Sequence, residues 1–108
     1  MSPKPRITAV VATVLAVFLA EPDASRYGLE LMRATGHASG TLYPVLTRLQ
    51  DAGWLEAEWE DAAVAQATGR PPRRYYRLTP EGVVAGRREL TKLHRALGLT
   101  GQIAGGLA

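Results

Sequence analysis

Arginine side chains near the middle of the chain are the groups best suited to chemistry in this sequence. Three of them lie in the stretch GRPPRR, residues 69–74, and Arg77 follows three residues later. Guanidinium groups bind phosphate oxygens strongly, so such a cluster suits an acidic polymer such as a nucleic acid. Arg70, Arg73 and Arg74 are therefore predicted to grip phosphates or to enter a minor groove.

The charge of the chain is divided between two neighbouring segments. Residues 21–61 hold three arginines against eight carboxylates, whereas residues 62–95 hold eight basic side chains against two carboxylates. The overall charge of +3 is common and indicates little by itself. A basic block beside a segment that reads as a hairpin indicates more, because it concentrates positive charge on one part of the surface.

Catalysis and metal binding find no support in the pattern of reactive residues. His37 and His94 are solitary, with no second ligand at metal-binding spacing. Ser39, Thr41 and Asp51 form no recognisable Ser/His/Asp constellation, so we expect neither an enzyme nor a cofactor. The chain contains no cysteine, which excludes disulfides and fits a reducing cytoplasm.

The apolar run of residues 7–20 follows Lys4 and Arg6, which would also suit a signal peptide. It leads directly into Glu21-Pro22-Asp23 without a convincing cleavage site, and it is shorter than the ~20 apolar residues that span a bilayer. We therefore predict a buried first helix over residues 5–20 and no membrane association. Its apolar side chains cover more than one stripe, so it should be buried on two sides.

Two further helices are predicted to form a helix-turn-helix. The first runs over residues 26–35 with Asp23 or Ser25 as its cap, and a tight turn follows at Gly36. The second begins between residues 39 and 41, where Ser39 or Thr41 can cap it, and ends at Gly53. In this motif the second helix is offered to the major groove of DNA.

Residues 55–60 and 73–78 both alternate between apolar and polar side chains, as strands do. Pairing Leu55 with Leu78 places Trp59 opposite Arg74 on the same face. On the other face it places Glu56 opposite Arg77 and Glu60 opposite Arg73, which leaves Arg70 and Arg74 freer to bind DNA. Residues 61–72 become a long hairpin tip. The fold class is thus mainly α with a small β-hairpin, a winged helix-turn-helix.

Five motifs follow one another over about residues 10–90: YGLEL at 27–31, SGTLYP at 39–44, GWL at 53–55, GR at 69–70 and RRYYRLT at 73–79. In this order and spacing they resemble the PadR family of bacterial transcriptional regulators. The resemblance implies a winged-helix homodimer that binds palindromic operator DNA, usually as a repressor and often released by a small molecule.

The predicted recognition helix carries few charges. Ser39, Thr41, Tyr43 and Thr47 are expected to reach base edges or phosphates, while the wing arginines supply the long-range attraction. Tyr43 could equally pack against the hairpin, and Arg48 could reach the DNA backbone or pair with Asp51.

A last helix is predicted from Thr79 and Pro80 onward, with an apolar stripe on one side. The stripe consists of Val83, Gly86, Leu90, Leu93 and Leu97. It suits a homodimer held by the first and last helices, although the last helix could instead fold onto its own core. Residues 1–97 then form one winged-helix domain with its dimerisation helices, and the Gly-rich residues 98–108 a flexible tail.

An apolar or aromatic effector, if one binds, is expected near the dimer interface against Phe18, Trp54 or Trp59, although core packing also explains both tryptophans. A second functional class stays open: a winged-helix interaction module that holds a protein through its acidic strand face and apolar first helix. Affinity for double-stranded DNA that falls steeply with salt would separate the two classes.

Overall fold

The computed structural model describes residues 4–98, which form helices and one small sheet. In chain order the elements are α1 (Ala9–Ala20), β1 (Arg26–Tyr27), α2 (Gly28–Thr35), α3 (Ser39–Asp51), β2 (Leu55–Trp59), α4 (Ala62–Ala67), β3 (Arg74–Leu78) and α5 (Pro80–Ala96). The strands form an antiparallel sheet in the order β1-β3-β2. Helices α2 and α3 form a helix-turn-helix and β2 and β3 a wing, so the predicted winged-helix fold class is confirmed.

Helix α1 begins at Ala9, four residues later than predicted, because the Thr8 hydroxyl accepts a hydrogen bond from the Val11 N–H at 3.2 Å and caps the helix there. Its inner side is fully buried and consists of Val11, Val14, Leu15 and Phe18. On the opposite side Ala9, Ala16 and Ala20 are exposed. Within the single chain, α1 is therefore buried on one side only.

The predicted start of the second helix is wrong. Arg26 and Tyr27 instead form β1, paired with Tyr76 and Tyr75 of β3, and α2 begins at Gly28. Neither Asp23 nor Ser25 caps α2; Tyr27 takes the cap position without a side-chain hydrogen bond. Pairing with β3 is favoured over an earlier helix start, because it gives the backbone groups of Arg26 and Tyr27 hydrogen-bond partners. The first N–H groups of a helix would lack such partners.

The predicted caps of α3 are also wrong. Ala38 is the N-cap and makes no side-chain hydrogen bond, and Ser39 is the first helical residue, so Pro44 lies beyond the first turn. The inner stripe of α3 is buried as predicted and consists of Leu42, Val45, Leu46 and Leu49. After the helix, Gly53 adopts a φ of 80°, a left-handed conformation that favours glycine.

The register of the wing is confirmed in all five pairs of residues, from Leu55 opposite Leu78 to Trp59 opposite Arg74. Residues 61–72 form the tip of the hairpin as predicted, and this tip contains the short helix α4, which was not predicted. The Asp61 carboxylate caps this short helix by accepting the N–H groups of Ala63 at 2.7 Å and Val64 at 3.3 Å. Ala65 is buried, so α4 folds back onto the hairpin.

Helix α5 begins as predicted at Thr79. The Thr79 hydroxyl accepts the Gly82 N–H at 3.0 Å and donates to the Gly53 carbonyl at 2.6 Å, which joins α5 to the turn after α3. Gly82 lies so close to this turn that an added Cβ would stand 2.0 Å from the Trp54 carbonyl oxygen. The start of α5 therefore fits against the scaffold only with glycine at this position.

The first half of α5 packs on α1 of the same chain. Of the predicted apolar stripe, Gly86 is buried and Val83 and Leu90 pack against the core, whereas Leu97 is 60% exposed. Part of the stripe thus serves the chain's own core, and the homodimer stays a prediction. The predicted tail lies outside the described residues apart from Gly98. No helix in residues 4–98 has the length and apolar character needed to cross a membrane.

Candidate nucleic-acid interface

The outward face of α3 carries all five of the side chains predicted to meet DNA from this helix. Ser39, Thr41, Tyr43, Thr47 and Arg48 are exposed, opposite the buried stripe. Arg48 forms no ion pair with Asp51 within the part of the chain that the structure describes, so its guanidinium is not held on its own helix. The position of the buried stripe alone decides which residues of α3 face outward.

Gly40 and Pro44 also lie on this outward face, and the sequence analysis placed them in a family motif without selecting them as DNA contacts. Apart from its chain neighbours and the nearby backbone of α3, no atom lies within 4 Å of the Cβ that an alanine would add at Gly40. The fold of the single chain therefore does not require glycine there. The signal was present in the sequence, since glycine and proline are poor helix formers and both occur inside one predicted helix.

Tyr43 leans across the helix-turn-helix toward α2. A Cβ added to Gly28 would stand 1.9 Å from the Tyr43 hydroxyl oxygen, so glycine leaves room for the tyrosine ring at the first residue of α2. The side chain nevertheless remains 43% exposed. Tyr43 thus packs against α2 and still offers one side of its ring to a partner.

Arg70 is paired with Glu60, contrary to the prediction that it is free. The guanidinium Nη2 lies 2.8 Å from Oε2 of Glu60, and Nη1 binds Oε1. Glu60 also accepts the backbone N–H of Arg73 at 3.3 Å. The hydrogen bond from Arg70 holds the pKa of the Glu60 carboxyl below its usual value, and the same contact raises the pKa of Arg70.

The side chain of Arg73, predicted to pair with Glu60, lies instead over the ring of Tyr27, with 4.0 Å from its guanidinium carbon to the ring centroid. Tyr27 in turn meets Tyr75 edge to face at 5.6 Å. Arg74 lies over the ring of Trp59 at 5.2 Å. Both arginines are therefore steadied by aromatic rings, which leave their guanidinium donors available for phosphate oxygens.

The predicted pair of Glu56 and Arg77 is confirmed. The carboxylate oxygen Oε1 accepts from Arg77 Nη2 at 2.7 Å and from Nε at 3.1 Å, and this contact raises the pKa of the guanidinium. Both side chains are about half exposed, so the pair contributes little to stability. It lies on the outer face of the sheet, opposite the face that packs on the core.

A cleft separates the wing from the start of α2 and from α3. Its lining includes Leu29, Tyr43, Trp59, Pro72, Arg73 and Arg74. Trp59 is 64% exposed here, so the cleft offers apolar and aromatic surface beside two guanidinium groups. Such a lining can pack against sugar rings while it binds phosphates. Leu29 and Pro72 were not selected from the sequence, because neither carries a polar group.

The three side chains predicted to hold an effector lie in different places. Phe18 of α1 is fully buried in the core, and Trp54 is also buried. Trp54 borders a groove beside α5 that includes Lys4, Arg88 and Glu89, whereas Trp59 lines the cleft at the wing. The single chain does not bring the three together. Residues 4–98 also contain no cluster of His, Asp or Glu suited to a metal ion.

Comparison with known proteins places this geometry in a family. The model of the transcriptional regulator PadR-like family matches residues 14–92. A crystal structure of a PadR family transcriptional regulator from Eggerthella lenta is 27% identical, with 85% of this chain and 81% of that chain covered and a TM-score of 0.63. Curated proteins gave no match.

Two other solved structures share the fold. A PadR-like transcription factor from Bacteroides fragilis is 26% identical, with a TM-score of 0.58 over 91% of this chain and 88% of that one. A PadR-like transcriptional regulator from Bacillus cereus is 22% identical, with a TM-score of 0.56 over 90% and 88%, which supports the fold alone. Since the family model matches well over half of its residues, the chain belongs to the PadR-like family of transcriptional regulators.

Proposed function

We propose that this regulator binds double-stranded operator DNA with α3 in the major groove and the wing on the adjacent backbone. One observation carries the proposal: Tyr43 on the outward face of α3 borders the same cleft as Arg73 and Arg74 of the wing. A winged-helix protein that places α3 in the groove brings the neighbouring sugar-phosphate strand to such a cleft.

The outward face of α3 and the wing suit different parts of DNA. Thr41, Tyr43 and Thr47 are short or planar and uncharged, so they can approach base edges without a large desolvation cost. Arg73 and Arg74 bring positive charge to phosphates, and the rings beside them can pack on deoxyribose. In this proposal Arg70 is no longer a direct DNA contact, because its guanidinium is occupied by Glu60.

A homodimer on a palindromic operator is part of the proposal. The outer side of α1 exposes the small apolar residues Ala9, Ala16 and Ala20, and α5 exposes Val84 and Leu97. These surfaces are apolar enough to be covered by a second copy. A two-fold dimer would place its two α3 helices about one DNA turn, ~34 Å, apart.

Repression and release by a small apolar or aromatic effector complete the proposal, and the resemblance to the family supports them. An effector that contacts Phe18 or Trp54 would need a pocket formed with a second chain, because both side chains are buried in the single chain. Titration of varied aromatic compounds while Trp fluorescence is followed checks this part. A flat response across the panel would remove the effector from the proposal.

The experiment that tests DNA binding is footprinting of the purified protein on DNA upstream of its own gene, together with the salt dependence of affinity. We expect a protected palindromic segment and an affinity that falls linearly with salt on logarithmic axes. Sedimentation at micromolar concentration should show a dimer. If no segment is protected and affinity does not respond to salt, the alternative of a protein-interaction module is the better description.

A further inference from the structure

Glu60 sits where the proposed function makes a carboxylate unfavourable. It follows β2 directly, at the end of the wing that carries Arg73 and Arg74. A negative charge close to phosphates weakens DNA binding by repulsion, so we expect a carboxylate here to have another role. The contacts of Glu60 indicate that purpose.

Both carboxylate oxygens of Glu60 are engaged inside the wing. They bind the guanidinium of Arg70, ten residues away, and one of them also accepts the backbone N–H of Arg73, thirteen residues away. The Glu60 N–H donates to the Arg73 carbonyl at 2.7 Å. Only 11% of the Glu60 side chain and 27% of the Arg70 side chain are exposed, so water competes weakly for these groups.

The segment between α4 and β3, which Glu60 holds, has few backbone hydrogen bonds of its own to fix it. Pro71 and Pro72 lack N–H groups, so they donate nothing to a strand ladder between α4 and β3. On its other side Arg70 donates its backbone N–H to the Ala65 carbonyl of α4 at 3.2 Å. The Glu60–Arg70 pair thus ties the end of β2, the end of α4 and the start of β3 to one another.

Resting on the proposed function, we propose that Glu60 and Arg70 are positioning residues that lock the wing so that Arg73 and Arg74 face DNA. Arg70 acts through Glu60 and contacts no phosphate. A bidentate pair suits this task because it fixes direction as well as distance. The lowered pKa of Glu60 means that the pair stays charged throughout the neutral pH range.

The test compares Glu60→Gln with Glu58→Gln on a labelled duplex of random sequence, measured by fluorescence anisotropy. Glu58 lies two residues earlier on the same strand, is exposed and forms no ion pair with any residue of the range 4–98. If only charge matters, both variants should bind DNA slightly more tightly than the parent, by less than about threefold. We expect this for Glu58→Gln, whereas Glu60→Gln should bind at least about threefold more weakly. A Glu60→Gln variant that binds more tightly than the parent would overturn the inference.

Arg70→Lys provides the second variant, since it keeps the positive charge but loses the paired hydrogen bonds. A positioning role predicts that Arg70→Lys weakens binding about as much as Arg70→Ala, and that Glu60→Gln weakens binding less in the Arg70→Ala background than in the parent. A phosphate contact predicts instead that Arg70→Lys binds like the parent and that Arg70→Ala lowers the salt slope by about 0.9. The second pattern would refute the inference.

Hydrogen exchange in the absence of DNA supplies a readout that does not depend on affinity. The Arg73 amide should lose protection in Glu60→Gln and keep it in Glu58→Gln, while the amides of α1 keep theirs in both. Unchanged protection of Arg73 would contradict the locking role. A parent that binds no duplex at all would overturn the proposed function, and the inference with it; a parent that binds while Glu60→Gln behaves like Glu58→Gln would overturn the inference alone.

Discussion

The outward face of α3 and the wing are held in position by different means. The side chains of α3 that face outward need little support, because its buried stripe of four apolar residues orients the whole helix. The wing projects beyond the core, and its arginines are each steadied by a side-chain partner: Arg70 by Glu60, Arg73 by Tyr27, Arg74 by Trp59 and Arg77 by Glu56. A helix can thus present uncharged residues for sequence readout, whereas a hairpin needs pairs and stacks to present charge.

The largest expected effect is a loss of stability on substitution of Gly82, because the positions of α3 and the wing both depend on the fold that this residue supports. Gly82→Ala would push a methyl group into the Trp54 backbone, at the turn that joins α3 to β2 and α5. Backbone cannot give way as a side chain tip can, so we expect a loss of about 3 kcal/mol or more in the free energy of unfolding, measured by urea titration.

Gly86→Ala is the matched control for this change. The added methyl would meet Leu19 at 3.4 Å, an ordinary contact, and alanine favours the helix. The free energy of unfolding should then change by less than about 1 kcal/mol. Equal losses in the two variants would mean that the fit of Gly82 against the turn is not what limits stability.

The second effect tests whether the wing arginines supply the electrostatic attraction to DNA while uncharged residues of α3 read its sequence. Arg73→Ala with Arg74→Ala should weaken binding to operator and random DNA alike and reduce the salt slope by about 1.8, which is ~0.9 for each lost phosphate contact. Thr41→Ala with Tyr43→Ala should weaken binding mainly to the operator, with little change in slope. Filter binding over a range of salt concentrations measures both. If the arginine variant kept the slope of the parent, the wing would not be the electrostatic anchor.

A smaller effect concerns Gly28, the first residue of α2, which lies against Tyr43 of α3. Gly28→Ala must displace the Tyr43 side chain, because the new methyl would overlap its hydroxyl. The ring is partly exposed and able to swing, so the free energy of unfolding should fall by less than about 1 kcal/mol. Operator affinity should nevertheless fall toward that of Tyr43→Ala, while affinity for random DNA is retained. An unchanged operator affinity would mean that the position of Tyr43 is unimportant for readout.

The smallest expected effect is the pH dependence of stability that Glu89 of α5, outside the wing, contributes. Glu89 of α5 is buried and binds Lys4 and Lys92, and the hydrogen bond from Lys4 holds its pKa below the usual value of 4.5. A carboxyl with a lowered pKa stabilises the fold above its unfolded pKa, and this contribution is lost as the pH falls through the folded value.

Glu89→Gln should therefore be less stable than the parent at pH 7, and the difference in unfolding free energy should narrow as the pH falls below 4.5. Thermal melts at several pH values measure this. Glu58→Gln, which removes a carboxylate with no ion pair among residues 4–98, serves as the control. A difference that widened in acid would contradict the role given to Glu89.

The sequence alone was sufficient where the period of apolar and polar residues decides the structure. The alternation of residues 55–60 and 73–78 and the opposite charges of Glu56 and Arg77 predicted the register of the wing. The apolar spacing of α3 predicted its buried stripe, and with it the outward face that meets the cleft. These features follow from the periods of strands and helices, which a sequence displays directly.

Tertiary structure alone decided which partner each polar or aromatic group meets. Arg26 and Tyr27 join β3 rather than a helix because a strand fifty residues later offers them backbone partners. Glu60 binds Arg70 rather than the side chain of Arg73, because α4 folds the tip of the wing back toward β2. Phe18 is closed off because the side of α1 that faces the core is set by contacts with α2, α3 and α5. Such choices depend on positions in space that no local period encodes.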